Sequence, residues 1–174
     1  MEWWRLKQLI LNEKVHIENH NLHWRYDFND EIKMLKNKPH LKTLTFEHIG
    51  STSIPNIKAK PIIDIIIGVR SFPPEKIVIQ EIEASGYTYM REMSVSDRLY
   101  FIKRDIKNFN LHIVEYKGDV WKKDILFRDY MIKYPEKAQA YSDLKEQILA
   151  GGIDTLLEYS EKKAEFISEV LRDI

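Results

Sequence analysis

The sequence predicts an α+β domain, broadly α/β, in which helices flank a mixed or antiparallel β-sheet. The first observation is a very apolar strand pattern at 61–69. The second is a series of three shorter strand patterns at 87–91, 99–103 and 109–116, the last two joined by a turn. The third is the change after Gly118 to amphipathic helical patterns, which predict a helical C-terminal third.

The N-terminal segment 3–12 has apolar residues at spacings that predict a short helix with one apolar side. Trp3 and Trp4 belong to this segment. Their rings suit either packing onto the body of the domain or a surface for a protein partner. A short extended segment is expected next, at about 15–21.

Between residues 22 and 38, four apolar residues at helical spacing predict a helix that Pro39 ends. These residues are Trp24, Phe28, Ile32 and Leu35. A strand is expected near 43–48, before the apolar strand at 61–69. Pro73 and Pro74 then open a helix near 75–85, which Gly86 closes.

The C-terminal third is predicted as three helices. Asp119 caps the first helix, and Pro135 ends it. A second helix covers about 136–150, and Gly151 and Gly152 separate it from a third at about 154–172. We therefore expect one domain over 1–174, with 1–13 as an additional N-terminal helix and 119–174 as a helical C-terminal layer.

Composition favours a globular cytoplasmic protein. The 174 residues are 44% hydrophobic and 31% charged, enough for a full core without disulfide or metal support. Lys plus Arg equals Asp plus Glu at 27 each, which gives no sign of nucleic-acid binding. The chain has no cysteine, no membrane-length apolar run and no signal-peptide pattern. P-loop, Rossmann and GxSxG motifs are absent as well.

The most informative residue is Asp64, which stands within the apolar run PIIDIIIGV. A bare carboxylate in such a run costs several kcal/mol or more, so it requires a hydrogen bond, a cation or a metal. Side chains alternate along a strand, so Asp64 shares a face with Ile62, Ile66 and Gly68. This face is expected to look into a site. A local lysine or backbone N–H that satisfies the carboxylate remains the structural alternative.

The turn before this strand is dense in hydroxyl groups. Gly50, Ser51, Thr52 and Ser53 offer a close backbone and three hydroxyls, which suit phosphate or carboxylate oxygens. Lys58 and Lys60 add positive charge nearby. A Ser/Thr-rich turn that is capped by its own hydroxyls is the alternative interpretation.

The strand FNLHIVEY places His112 on one face together with Asn110, Val114 and Tyr116. If it neighbours the Asp64 strand, His112 and Asp64 face each other. A histidine paired with a carboxylate can act as a base, a metal ligand or an orienting group. A half-buried histidine with one structural hydrogen bond remains the alternative.

The C-terminal helices carry a second charged group of residues. Tyr141 and Lys145 lie four residues apart on one helical face, and Arg128 and Asp129 come from the preceding helix. Together they are candidates for clamping an anionic ligand. Solvated surface charge is the commoner meaning of such a run.

These motifs together resemble the GrpB family (UPF0157-type proteins), which is placed with the nucleotidyltransferase fold. The resemblance extends from about Val15 to the C-terminus. It is carried by the core EHIGSTSIPNIKAKPIIDI, the NLHIV strand, FRDY followed by Pro135 and Glu136, Tyr141 with Leu144 and Lys145, and Tyr159, Lys163 and Phe166. The resemblance implies a nucleotidyltransferase-like mixed sheet with flanking helices and a C-terminal helical layer.

In nucleotidyltransferases a Gly-Ser turn precedes a strand with carboxylates at i and i+2, which hold divalent ions, and a later strand supplies a third. Gly50, Ser51 and Asp64 fit this pattern, but the i+2 position is Ile66. The later strand offers His112, and Asn110 stands where the family usually has histidine. The resemblance thus implies Mg²⁺ or Mn²⁺ on Asp64, with Glu47 or Glu115 as a second oxygen ligand, in an incomplete metal site.

Three functional hypotheses remain open. The first is a protein that binds a nucleotide or another phosphorylated small molecule through Ser51, Thr52, Ser53, Lys60 and Arg128, and transfers a nucleotidyl group through Asp64. The second is a relative that senses a ligand without turnover. The third is a folding or assembly accessory domain, as the fusion of family members to dephospho-coenzyme A kinase implies.

Overall fold

The computed structural model describes residues 13–153 and 155–174. The sheet has the strands β1 (Thr45–Ile49), β2 (Ile63–Val69), β3 (Thr88–Tyr89), β4 (Leu99–Arg104) and β5 (Asn108–Glu115). The helices are α1 (His23–Leu35), α2 (Lys76–Glu83), α3 (Asp119–Lys133), α4 (Pro135–Ala150) and α5 (Leu156–Asp173). The helices and strands predicted within these ranges are therefore present. The helix predicted at 3–12, with Trp3 and Trp4, lies outside the described residues.

The five strands form one mixed sheet in the order β1-β2-β5-β4-β3. β2 pairs in parallel with β5, and the other three pairings are antiparallel. The register places Asp64 opposite Asn110 and Ile66 opposite His112. The two strands that carry the polar residues singled out from the sequence are thus direct neighbours at the centre of the sheet.

One face of the sheet forms the main core with α1 and α2. Ile63, Ile65 and Ile67 of β2 point into it and are 0–3% exposed. Leu111 of β5 and Trp24 of α1 belong to the same cluster. This face follows the alternation expected of a strand with one buried side.

The opposite face is covered by the C-terminal helices. Ile66 and Val114 pack against Trp121 of α3, so this part of the face is dry. Gly68 is needed here, because a Cβ at this position would lie 2.7 Å from the Tyr116 ring and 2.9 Å from the Trp121 ring. Asp64 lies on the same face of β2, two residues before Ile66. There the face is no longer packed against α3, and Asp64 lines a cavity.

The helices α3, α4 and α5 pack through a separate apolar cluster that includes Phe127, Tyr141 and Val170. Ile54 and Ile57, from the loop between β1 and β2, belong to it too. This cluster fixes the distance between the helical layer and the hydroxyl-rich turn. None of the helices in the described ranges has the length and apolar character needed to cross a membrane.

The extended segment expected near 15–21 is present in part. Glu18 forms an isolated antiparallel bridge with Ala59, and Lys14 forms another with Thr155. Two 3₁₀ turns, Ser51–Ser53 and Arg91–Met93, were not predicted. Both adjoin the cavity described next.

Candidate functional site

A cavity of about 500 Å³ lies between the second face of the sheet and the helical layer. The polar residues that line it are Ser51, Thr52, Lys60, Asp64, Arg98, Tyr100, Arg104, Asn110, His112, Lys123, Asp124, Tyr141, Tyr159, Ser160 and Lys163. Its apolar lining includes Ile49, Ile62, Met93, Phe127, Leu156, Leu157, Ile167 and Leu171. The volume suits a small-molecule ligand.

Asp64 is held by a hydrogen-bonded chain across the sheet. Asn110 donates from Nδ2 to Asp64 Oδ1 over 2.7 Å. Its Oδ1 accepts from the Tyr100 hydroxyl at 2.9 Å and from Arg104 Nη2 at 2.8 Å. Two donors on Oδ1 leave only one orientation of the amide, with Nδ2 directed at Asp64. The strand carboxylate is thus satisfied from neighbouring strands, not by a local lysine.

His112 lies beside Asp64 on the same face, as the alternation of both strands predicts. The distance from His112 Nε2 to Asp64 Oδ1 is 3.9 Å. The Tyr100 ring stacks on the imidazole with ring centres 5.0 Å apart. His112 Nδ1 is buried and has no hydrogen-bond partner in the described part of the chain. The imidazole is therefore fixed by stacking, with one nitrogen directed at the carboxylate.

The surroundings of Asp64 favour its ionised form. Burial acts to raise the pKa of the carboxyl group, but His112, the Asn110 hydrogen bond and the charge of Lys163 together hold the pKa below its usual value. Asp64 is therefore a carboxylate at neutral pH. Its side chain remains 26% exposed, toward the cavity.

The turn at Gly50 brings backbone against this carboxylate. Gly50 has φ +71° and ψ −176°, a region open in practice only to glycine. A Cβ at this position would also lie 2.9 Å from Asp64 Cγ and closer still to Oδ2. Both the conformation and the close approach require glycine.

Two hydroxyls of the turn form hydrogen bonds within the protein, and the third faces the cavity. Ser53 donates to the Gly50 carbonyl at 2.6 Å, and Thr52 donates to the Ile62 carbonyl at 3.4 Å and lies 2.9 Å from His48 Nε2. Ser51 lines the cavity together with Tyr141. Burial raises the pKa of Tyr141 to about 12, against the opposing effect of the Ser51 hydroxyl. Ser51 is therefore the hydroxyl that is best placed for a ligand.

Positive charge is concentrated on the cavity. Five lysine and arginine side chains line it, whereas Asp64 and Asp124 are its only carboxylates among the described residues. Arg98 pairs with Asp124 at 2.8 Å. Lys60 reaches Glu13 at 3.0 Å, and its pKa is lowered by burial against the pull of that carboxylate. A chain with no net charge thus presents a basic site.

Four of the residues predicted for the site lie elsewhere. Ser53 is used within the turn, as described above. Arg128 donates to Glu47 at 2.7 Å and to the His48 carbonyl at 3.0 Å, so Glu47 and Arg128 neutralise each other outside the cavity. Lys145 is fully buried and donates to the Lys58 carbonyl. Arg128 and Lys145 therefore stabilise the fold, and neither contacts the cavity.

The residues present do not suit a two-metal centre. In the described ranges no three acidic, histidine or cysteine side chains come together as a metal site. The proposed second ligand, Glu47, is bound by Arg128, and Asp124 is bound by Arg98. Oxygen-rich sites are what Mg²⁺ requires, and here a single carboxylate lies among amide and cationic side chains. The Mg²⁺ or Mn²⁺ site accordingly stays a prediction.

Several residues that line the cavity were not predicted from the sequence pattern. Tyr100 and Arg104 share the cavity face because β4 pairs with β5 so that Tyr100 lies opposite His112. The sequence LYFIKR shows that these two residues lie on the same face of a strand. It does not show the pairing with β5 that places this face beside Asp64. Lys163 comes from α5, about 100 residues after Asp64. It was noted only as part of the family resemblance.

A family model described as "GrpB protein" matches residues 14–173. The chain belongs to the GrpB family. Among curated relatives, the UPF0157 protein YqkA of Bacillus subtilis is 37% identical over 160 residues, which are 91% of this chain and 47% of that protein. The glutamate-rich protein GrpB of Alkalihalophilus pseudofirmus is 30% identical over 167 residues, covering 92% of this chain and 96% of that one. This chain thus spans about half of YqkA and nearly all of the second GrpB relative.

The fold is shared with a solved GrpB structure. The crystal structure of the conserved protein GrpB from Enterococcus faecalis superimposes with a TM-score of 0.78 at 31% sequence identity. The match covers 91% of this chain and 98% of that one. The predictions of the family and of an α+β fold with a mixed sheet and a helical layer are therefore confirmed.

Proposed function

We propose that this GrpB protein binds a phosphorylated small molecule, such as a nucleotide or a sugar phosphate, in the cavity between the sheet and the C-terminal helices. The convergence of five cationic side chains on one cavity carries this proposal. Charge-assisted hydrogen bonds from Arg and Lys are the usual means of holding phosphate oxygens.

The cavity supplies a different surface for each part of such a ligand. Arg104 and Lys163 lie near Asp64 and provide positive charge for phosphate. Asp64 is ionised and suits a hydroxyl donor such as those of a sugar ring. Leu156, Ile167 and other apolar residues on α5 provide a surface for the remainder of the molecule. A phosphorylated compound with a hydroxylated, partly apolar body fits this division.

Transfer of a nucleotidyl group is a further step that the site supports less well. The reaction as the family resemblance implies it uses two or three carboxylates with divalent ions. Here the i+2 position is the fully buried Ile66, and Asn110 faces Asp64. Binding is therefore proposed as the function, with transfer to be assayed only for a ligand that binds.

A thermal-shift screen tests this proposal. The purified protein is heated with nucleotides, coenzyme A precursors and sugar phosphates, each with and without Mg²⁺ or Mn²⁺. A ligand at 100 times its Kd adds about 2.7 kcal/mol to the free energy of unfolding, which is readily detected. Absence of stabilisation by every compound, under both conditions, would contradict the proposal.

A matched pair of lysines locates the binding. Lys122 and Lys123 are both exposed, but only Lys123 lines the cavity. Lys123→Ala should weaken binding by roughly fivefold, about 1 kcal/mol, because one charge-assisted contact is lost. Lys122→Ala should leave the affinity unchanged. Equal effects of the two substitutions would indicate binding to surface charge instead.

A further inference from the structure

The strongest unexplained group in the cavity is the ammonium of Lys163. It lies over the Tyr159 ring at 4.5 Å and lines the same cavity as Asp64. Within residues 13–153 and 155–174 it forms no ion pair and no hydrogen bond. The Lys163 side chain is half-buried, and because it has no carboxylate partner among these residues its ammonium can pair with a bound anion.

We infer that this cavity binds its phosphorylated ligand without a divalent cation, and that Lys163 supplies the positive charge beside Asp64. This inference rests on the proposed function and specifies how the charge of the ligand is balanced. Its basis is the composition of the site, in which a lysine and an amide stand near the one available carboxylate.

The arrangement around Asp64 disfavours a metal ion for two reasons. First, Oδ1 already accepts a hydrogen bond from Asn110, whose amide is locked by Tyr100 and Arg104. Second, a divalent ion on this carboxylate would share the cavity with Lys163 and Arg104. Like charges in a partly buried site repel each other, so the two cationic side chains disfavour a metal ion at this carboxylate.

The electrostatic coupling of the two residues agrees with this assignment. The charge of Lys163 lowers the pKa of Asp64. Burial lowers the pKa of Lys163, and the charge of Asp64 acts to raise it again. Each group therefore favours the ionised form of the other, across the space in which a ligand would lie.

Isothermal titration calorimetry on the full chain distinguishes the alternatives. The probes are ATP, AMP and inorganic pyrophosphate, each titrated in EDTA and then in excess MgCl₂. We expect at least one probe to bind in EDTA with an affinity equal to or higher than that in MgCl₂. Binding that requires MgCl₂ would overturn the inference and leave the proposed function intact. No binding of any probe under either condition would count against both.

Variants on α5 test the role of Lys163 itself. Lys163→Met should lower the affinity in EDTA by about tenfold to a hundredfold, the range for loss of a hydrogen bond to a charged group. Lys163→Arg keeps the charge and should retain most of the affinity. Lys162→Met, at an exposed position on the same helix, is the control. Affinity unchanged in Lys163→Met would overturn the assignment. Because the EDTA comparison uses the unmodified chain, a variant that misfolds does not affect it.

Discussion

Asn110 donates a hydrogen bond to Asp64 across the central parallel strand pair, with 2.7 Å between Nδ2 and Oδ1. The amide is oriented by Tyr100 and Arg104, which both donate to its Oδ1. Asn110 therefore links two side chains of β4 to the carboxylate on β2 through hydrogen bonds. The network explains how an ionised aspartate is accommodated in a strand that is otherwise nearly all apolar.

Asn110→Ala should destabilise the protein by about 1–3 kcal/mol, because it removes the hydrogen bonds that join Asn110 to Asp64, Tyr100 and Arg104. The free energy of unfolding in urea measures this loss. Asn108→Ala on the same strand is the control, since the Asn108 side chain forms none of the hydrogen bonds seen in the described residues. A loss no greater for Asn110→Ala than for Asn108→Ala would show that the network adds no stability.

Gly50→Ala should cost more stability than Gly152→Ala. Both glycines have positive φ, +71° and +84°, so both substitutions strain the backbone, by about 1–3 kcal/mol. Only at Gly50 would the added Cβ also collide with Asp64, whereas no atom lies within 4 Å at Gly152. Urea unfolding of the two variants separates backbone strain from the collision. Equal losses would mean that the turn does not press on the carboxylate.

His48 should stay neutral in the folded protein well below neutral pH. It stacks on Phe28 at 4.9 Å, and burial lowers its pKa to about 4. The unfolded chain takes up a proton near pH 6.5, so stability should fall as the pH drops from about 6.5 to 4, by up to about 3 kcal/mol. Titration of the imidazole by NMR checks the pKa directly, and a midpoint near 6.5 would contradict the burial argument.

The same loss of stability should be smaller in His48→Gln, because glutamine does not titrate. Urea unfolding at pH 7 and pH 5 compares this variant with the unmodified protein. The window for Asp64 is separate: its folded pKa lies below the unfolded value of 3.8, so its contribution is lost only as the pH falls further. An undiminished loss between pH 7 and pH 5 in His48→Gln would assign the effect to another group.

Lys145→Met should affect stability and leave ligand binding unchanged. Lys145 donates to the Lys58 carbonyl and lies 4.6 Å from the Tyr141 ring centre, outside the cavity. Burial lowers its pKa to about 7, with a contribution from Lys163. The unfolded chain holds that proton to higher pH, so the native protein should gain stability between pH 7 and about 10. The variant should lack this gain in urea unfolding, and a loss of affinity in it would contradict a purely structural role.

The order of helices and strands could be predicted from the sequence because periodicity and breakers are local. Pro135 and the Gly151–Gly152 pair mark helix ends that the structure retains, whereas the first helix ends at Leu35, four residues before Pro39. The prediction that Asp64 and His112 share a face followed from alternation along two strands. It depended on the strands being neighbours, which the pairing of β2 with β5 shows.

The misplaced residues depend on contacts that no local pattern encodes. Lys145 and Tyr141 share a helical face, yet Tyr141 reaches the cavity while Lys145 turns to the Lys58 carbonyl. Arg128 reaches Glu47, 81 positions earlier in the chain. Lys163 enters the site only because α5 packs against α3 and α4 beside the cavity. Contacts between the helical layer and distant parts of the chain therefore determine which charged side chains line the cavity.

The central claim is that phosphorylated ligands bind in the cavity beside Asp64. Two-dimensional ¹H–¹⁵N NMR of the labelled protein, titrated with the compound that stabilises it most, tests this most directly. We predict that the largest shifts fall on the backbone amides of Gly50, Ser51, Asn110 and Lys163. Shifts confined to residues away from the cavity, such as those around Glu81 and Lys107, would contradict the account.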